Sequence, residues 1–160
     1  MKSKICYSFN MKKLEITYRD KTLSISYFLR RGRKETVIYL HGLGCTKSDF
    51  IQAIQVESLQ AHTIVGFDFP GHGDSSHLEN LGMDDLVKIT NLFAVKLNLD
   101  HLTLIGHSMG GLVTFQWHRD NTHYGALGNG VPVIAIAVLG SPLAGSCEII
   151  TSLVRQAARI

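Results

Sequence analysis

Three cysteines, Cys6, Cys45 and Cys147, are all that the 160-residue chain contains. They are too few, too scattered and odd in number for a disulfide framework, and no pair has metal-ligand spacing, so they read as free thiols. Long apolar runs are missing as well. The longest uncharged apolar stretch, Val131 to Leu139, is about half of what a membrane-spanning helix needs, and no apolar segment near the start has signal-peptide length. That excludes a membrane span on this reading and makes the expected location cytoplasmic. Internal repeats and low-complexity segments are also absent.

What is present suits a globular core. Hydrophobic residues make up 45% of the chain, enough for one domain of this size to bury an interior. The net charge of +3 is unevenly spread: residues 1–34 hold ten Lys/Arg against Glu15 and Asp20. These charges interleave with an alternating strand pattern, and "RRGRK" reads as a solvated turn, so the sequence does not point to nucleic acid. "MKSKICYSFN" has no recognisable pattern, and residues 1–10 are expected to be a disordered extension ahead of a single core spanning residues 11–160.

"LEITYRD" and "TLSISYFL" are short β-rich runs, the second alternating Leu23, Ile25, Tyr27 and Leu29 with other residues, and they predict an antiparallel pair. Thereafter the pattern changes. "TVIYLHG", "HTIVGFDFPG", "HLTLIGHS" and "VIAIAVLGS" are nearly continuous apolar runs ending in glycine, as in strands buried on both faces of a parallel sheet. Between them, residues 48–60, 83–97 and 109–118 carry helical spacing, the second through Leu86, Ile89, Phe93 and Leu97. "EIITSLVRQAARI" is amphipathic, with Ile149, Ile150, Leu153, Val154, Ala157 and Ala158 on one face. Strands alternating with helices predict an α/β sheet with helices on both faces. The strand before Ser108 is expected to be central, and the site to lie at the carboxyl ends of the strands.

Three motifs sit at those ends. Gly106-His107-Ser108-Met109-Gly110 fits G-x-S-x-G in a strand–turn–helix setting, where a serine on a sharp turn is presented to a cleft. The helix start also aims amide N–H groups at negative charge forming nearby. His41-Gly42-Leu43-Gly44 ends an earlier strand, and its glycines let backbone N–H groups face a cavity, which suits an oxyanion hole. A phosphate loop fails here because Thr46 stands before Lys47 where that pattern needs glycine; a dinucleotide fingerprint fails because Lys47 replaces its third glycine. "DFPGHGDSS", Asp68 to Ser76, has the residue types of a tight turn.

In this order the three motifs, H-G-x-G, then D-x-x-G-x-G-x-S, then G-H-S-M-G-G, resemble the α/β-hydrolase superfamily over roughly residues 12–118. The resemblance implies an α/β-hydrolase fold with a mostly parallel sheet. It implies Ser108 as nucleophile, the backbone N–H groups of Leu43 and Met109 as the oxyanion hole, and His41 as support for the oxyanion loop. It implies esterase or lipase-like acyl chemistry on a small-molecule acyl substrate, with no metal and no organic cofactor.

The family takes its catalytic histidine from after the last strand and its acid from a late loop. Only about twenty residues follow the sixth apolar run, so the chain reads as truncated, with the C-terminal strands missing. None of its other histidines substitutes. His118 lies ten residues along the helix from Ser108, roughly 15 Å away; His107 diverges from its neighbour. His62, His72, His77, His101 and His123 read as loop or strand-edge residues. The alternative to a serine hydrolase is thus an incompetent remnant, or a binding module that kept the elbow. Further expectations are a complementing chain that supplies the missing half, and self-association through an open edge at "VIAIAVLG".

Overall fold

The structure, a computed structural model, describes residues 10–51, 57–124 and 135–138. The extension expected over residues 1–10, all but its last residue, lies outside the described residues, as do Cys6, Cys147 and the amphipathic stretch after Gly145.

Six strands form one sheet: β1 (Lys12–Tyr18), β2 (Lys21–Arg30), β3 (Lys34–Leu40), β4 (His62–Phe67), β5 (Leu102–His107) and β6 (Ala135–Val138). Among the described residues two α-helices accompany them, α1 (Met83–Lys96) and α2 (Met109–Tyr124). The strand order is β1-β2-β4-β3-β5-β6. The expected antiparallel pair is β1–β2, and β2 also runs antiparallel to β4, whereas β3–β4, β3–β5 and β5–β6 are parallel. The continuous apolar runs are therefore the parallel strands. β5, the strand before Ser108, is interior, between β3 and β6. It stands one strand from the end of the described sheet rather than at its middle.

Period-two alternation divides the sheet into two cores. On one face Ile38 and Leu40 of β3, Val65 and Phe67 of β4 and Leu104 of β5 pack against Leu86, Ile89 and Phe93 of α1 and Val113 and Trp117 of α2. Phe93 stacks on Phe67 with ring centroids 4.4 Å apart and meets Tyr27 edge-on at 5.5 Å. On the other face Val37 and Tyr39, Ile64 and Ile105 meet Phe50 and Leu59. The helical spacing read over residues 48–60 resolves differently from a single helix: 3-10 turns form at Lys47–Phe50 and Glu57–Leu59, with residues 52–56 outside the description. Thr46 caps the first turn through a reciprocal pair with Asp49, which fits so short an element.

Two polar clasps fix the ends of the sheet. The β1–β2 turn uses Arg19 and Asp20 at φ of 48° and 58°, the left-handed pair that a two-residue hairpin favours. Tyr18 Oη and Arg19 Nη2 both donate to Asp85 Oδ1, at 2.5 and 2.6 Å, and so tie that turn to the start of α1. The "RRGRK" run, expected to be solvated, is partly engaged: Arg30 donates to the carbonyl of Leu59 at 2.6 Å and Arg31 to that of Leu97 at 3.1 Å. Their charges satisfy carbonyls left open at the ends of a 3-10 turn and of α1.

Candidate active site

β5 ends at His107 and α2 begins at Met109, so the chain reverses through Ser108 alone. Ser108 adopts φ of +51°, a left-handed conformation that costs an L-residue about 1–2 kcal/mol. Strain of this kind persists only where the surroundings over-determine it. Here two glycines do so. A Cβ on Gly106 would lie 2.1 Å from the carbonyl oxygen of Gly110, and one on Gly110 would lie 2.1 Å from that of Leu40. The first glycine lets α2 start directly against β5, and the second lets the same turn press on the end of β3. Thr114 Oγ1 donates to the Gly110 carbonyl at 2.8 Å. Among the described residues the Ser108 hydroxyl has no hydrogen-bond partner.

The loop after β3 meets this elbow at Gly42, where a Cβ would stand 3.2 Å from Ser108 Cβ and 2.8 Å from His107 Nδ1. Gly42 to Cys45 form a turn closed by the Cys45 N–H donating to the Gly42 carbonyl at 3.1 Å. Gly44 occupies its third position at φ of +72°, as a type II turn requires. Leu43, second in the turn, holds its side chain 76% exposed. Neither the Leu43 N–H nor the Met109 N–H donates to a described residue.

His41 is fully buried and has both ring nitrogens engaged. The Phe69 N–H donates to Nε2 at 2.9 Å, so the proton sits on Nδ1, which donates to the Gly42 carbonyl at 2.8 Å. The Gly42 carbonyl thus accepts twice, from His41 and from Cys45. Because the peptide unit is planar and trans, fixing that carbonyl also fixes the Leu43 N–H on its opposite side. With Nε2 accepting a backbone proton and Nδ1 donating, the imidazole has no free site to take a proton from Ser108.

Burial holds the His41 pKa below its ordinary value of 6.5, with repulsion from His72 adding to the effect and the Gly42 bond partly opposing it. A histidine pKa lowered by folding makes the unfolded chain the better proton binder. Its contribution is therefore full above about pH 6.5 and falls as pH drops below that value. Nitrogen-15 NMR of the imidazole should show His41 neutral and Nδ1-protonated at pH 6.5, where a free imidazole is half charged. The urea midpoint should decline between pH 7.5 and 5.5 more steeply than in His41→Asn. A His41 half-charged at pH 6.5 would contradict this arrangement.

The turn from Asp68 to Ser76 is pinned to β2: Asp68 N–H donates to the Ser26 carbonyl, Ser26 N–H to Ser75 Oγ, and Ser75 Oγ to the Asp68 carbonyl, all within 2.7–2.9 Å. The sequence motifs therefore meet in space, with His41 joining the first to the second and Gly42 joining the first to the third. Of the other histidines, His62 opens β4 and lies 3.5 Å from Glu35. His118 stands well along α2, and His123 falls inside α2 rather than in a loop or at a strand edge.

A sequence profile described as the alpha/beta hydrolase fold matches residues 35–124, the segment that carries all three motifs. The chain belongs to the alpha/beta hydrolase family. It is 36% identical over 102 residues to "Putative esterase/lipase 2" of Mycoplasma genitalium, a match covering 61% of this chain and 38% of that protein. It is 31% identical to monoacylglycerol lipase ABHD6 of Homo sapiens, covering 61% of this chain and 30% of that one. Among solved structures, a probable hydrolytic enzyme from Pseudomonas aeruginosa superposes with a TM-score of 0.67 at 20% identity, covering 83% of this chain and 41% of the other. The matched part of this alpha/beta hydrolase chain thus spans less than half the length of these relatives.

One pair of site residues escaped the sequence reading. Lys47 enters the sequence motifs only where the phosphate-loop and dinucleotide patterns fail, yet it is buried, with Nζ 2.5 Å from Oδ2 of the equally buried Asp68. The signal that could have found it was Asp68 directly after the apolar run of β4, with Lys47 in the loop that follows the neighbouring β3. Charged residues in such places need one another.

Proposed function

We propose that this alpha/beta hydrolase chain carries the nucleophile and oxyanion hole of a serine hydrolase acting on carboxylic esters or related acyl bonds. The observation that carries the reading is Ser108 held at φ of +51° between β5 and α2 with Gly42 against it. No stability is gained from a strained serine there, whereas presenting a hydroxyl to an incoming carbonyl carbon needs it. Ser108 Oγ attacks that carbon, and the carbonyl oxygen becomes an oxyanion received by the Leu43 and Met109 N–H groups. His41 supports the hole through the Gly42 carbonyl. Collapse expels the alcohol, which carries away the proton given up by Ser108 Oγ, and leaves an acyl group on Ser108, which water then removes as the acid while returning a proton to Oγ. The names of the relatives, an esterase/lipase and a monoacylglycerol lipase, support acyl chemistry.

A second reading, an incompetent remnant or a binding module, is favoured by one observation: among the described residues nothing accepts the Ser108 proton. A serine hydroxyl without a positioned base is a weak nucleophile near neutral pH. The two readings separate in a p-nitrophenyl acetate assay of the 160-residue chain beside Ser108→Ala. Slow hydrolysis is expected, with Ser108→Ala removing only a small part of it. Rapid turnover abolished by Ser108→Ala would mean that a base for Ser108 lies within these residues. No difference between the chain and a denatured control would favour the binding module.

A further inference from the structure

Lys47 and Asp68 form a fully desolvated ion pair that the chemistry proposed above does not use. Both ends of Lys47 hold the same carboxylate, its backbone N–H donating to Oδ1 at 2.7 Å and its ammonium to Oδ2 at 2.5 Å. The Asp74 N–H is a third donor to this carboxylate, reaching Oδ2 at 3.1 Å, and the Asp74 carboxylate, itself exposed, approaches the ammonium at 3.3 Å. Gly73, at φ of +49°, is compelled by the same carboxylate, since a Cβ there would fall 2.2 Å from Oδ2. A buried ion pair is weak evidence for stability, because an apolar pair of similar volume often serves as well. Its better-attested use is to select one arrangement among several.

The arrangement selected is the loop beside Ser108. The loop enters at His41, which accepts from the Phe69 N–H, and leaves at Lys47, which holds Asp68. Two successive residues of one rigid turn, Asp68 and Phe69, thus grip both ends of the segment 42–46. Between the grips lies the Gly42–Cys45 turn with the free Leu43 N–H.

We infer that Lys47 and Asp68 are positioning residues that hold the Leu43 amide in place for the oxyanion. The role named for that amide rests on the function proposed above, but the positioning is read in backbone order, which needs no turnover. Lys47→Met alone strands a buried carboxylate and is expected to unfold the chain; Lys47→Met with Asp68→Asn removes both charges and keeps the volume. Nitrogen-15 relaxation on the chain should give Leu43 and Gly44 order parameters near those of rigid backbone, about 0.85, and the double variant should drop them below about 0.6. Ile38 and Leu104 in the sheet should stay rigid in both.

Unchanged order at Leu43 and Gly44 in the double variant would overturn the inference. Equal loosening of Ile38 and Leu104 would also overturn it, by showing a merely structural pair. A measurement on the unaltered chain stands beside this one in case the double variant does not fold. The Lys47 ammonium protons should exchange with water far more slowly than those of the exposed Lys12 and Lys13, and equal exchange would overturn the inference. If Ser108 proves to have no part in hydrolysis while the loop order behaves as expected, the proposed function fails and the positioning stands.

Discussion

Hydrolysis of p-nitrophenyl acetate should rise by on the order of 10⁴-fold or more when the chain is extended by, or mixed with, a segment that supplies a histidine and an acid to Ser108. The magnitude follows from serine proteases, where the oxyanion hole and binding alone leave about 10³–10⁴-fold acceleration over water and the relay supplies the rest. In the proposed function the Ser108 elbow supplies the nucleophile and the Leu43 and Met109 amides the oxyanion hole, and the added segment supplies the base. His41 cannot be that base while the Phe69 N–H occupies Nε2 and the Gly42 carbonyl occupies Nδ1. The gain should be lost wholly in Ser108→Ala, because a relay without its hydroxyl has nothing to activate. A gain that survives Ser108→Ala would place the chemistry on the added segment.

Gly106→Ala should cost more than about 4 kcal/mol, in the range reserved for overpacking that cannot relax. The added methyl would stand 2.1 Å from the Gly110 carbonyl oxygen, 2.3 Å from its carbon and 2.5 Å from the Gly111 nitrogen. All three are backbone atoms of the first turn of α2, so no side chain can swing aside. Relief requires the helix to lift from β5, taking Val113 and Trp117 out of the core. Gly44→Ala makes the useful contrast: nothing lies within 4 Å of its Cβ, and only φ of +72° opposes it. That substitution should cost about 1–2 kcal/mol. Urea titration of both variants checks the pair, and a Gly106→Ala chain within about 1 kcal/mol of the parent would contradict the packing described.

Much of this arrangement is legible in the sequence because it depends on local chemistry. Apolar runs ending in glycine mark the parallel strands, since a strand buried on both faces has no polar alternation to show. The elbow is legible for the same reason: strand, strained serine and helix follow one another within a few residues. α1 was readable from Leu86, Ile89 and Phe93, all of which are buried. The segment 48–60 was not, because Phe50, Ile51, Ile54 and Leu59 fit a helical spacing, whereas its described ends are the 3-10 turns that carry Phe50 and Leu59. The Lys47–Asp68 pair stayed hidden because its partners are 21 residues apart and meet only once β3 and β4 lie side by side. Likewise His41 could be placed near the site from its motif, but its tautomer depends on the Phe69 amide, which only the folded loop supplies.

The most direct test of Ser108 as nucleophile is mass spectrometry of the complemented or extended protein after brief treatment with diisopropyl fluorophosphate. The expected result is one diisopropylphosphoryl group per chain, on the peptide containing Ser108, with activity falling in proportion to labelling. Labelling of another residue, or full activity after Ser108 is modified, would contradict the reading of this elbow as the site of acyl transfer.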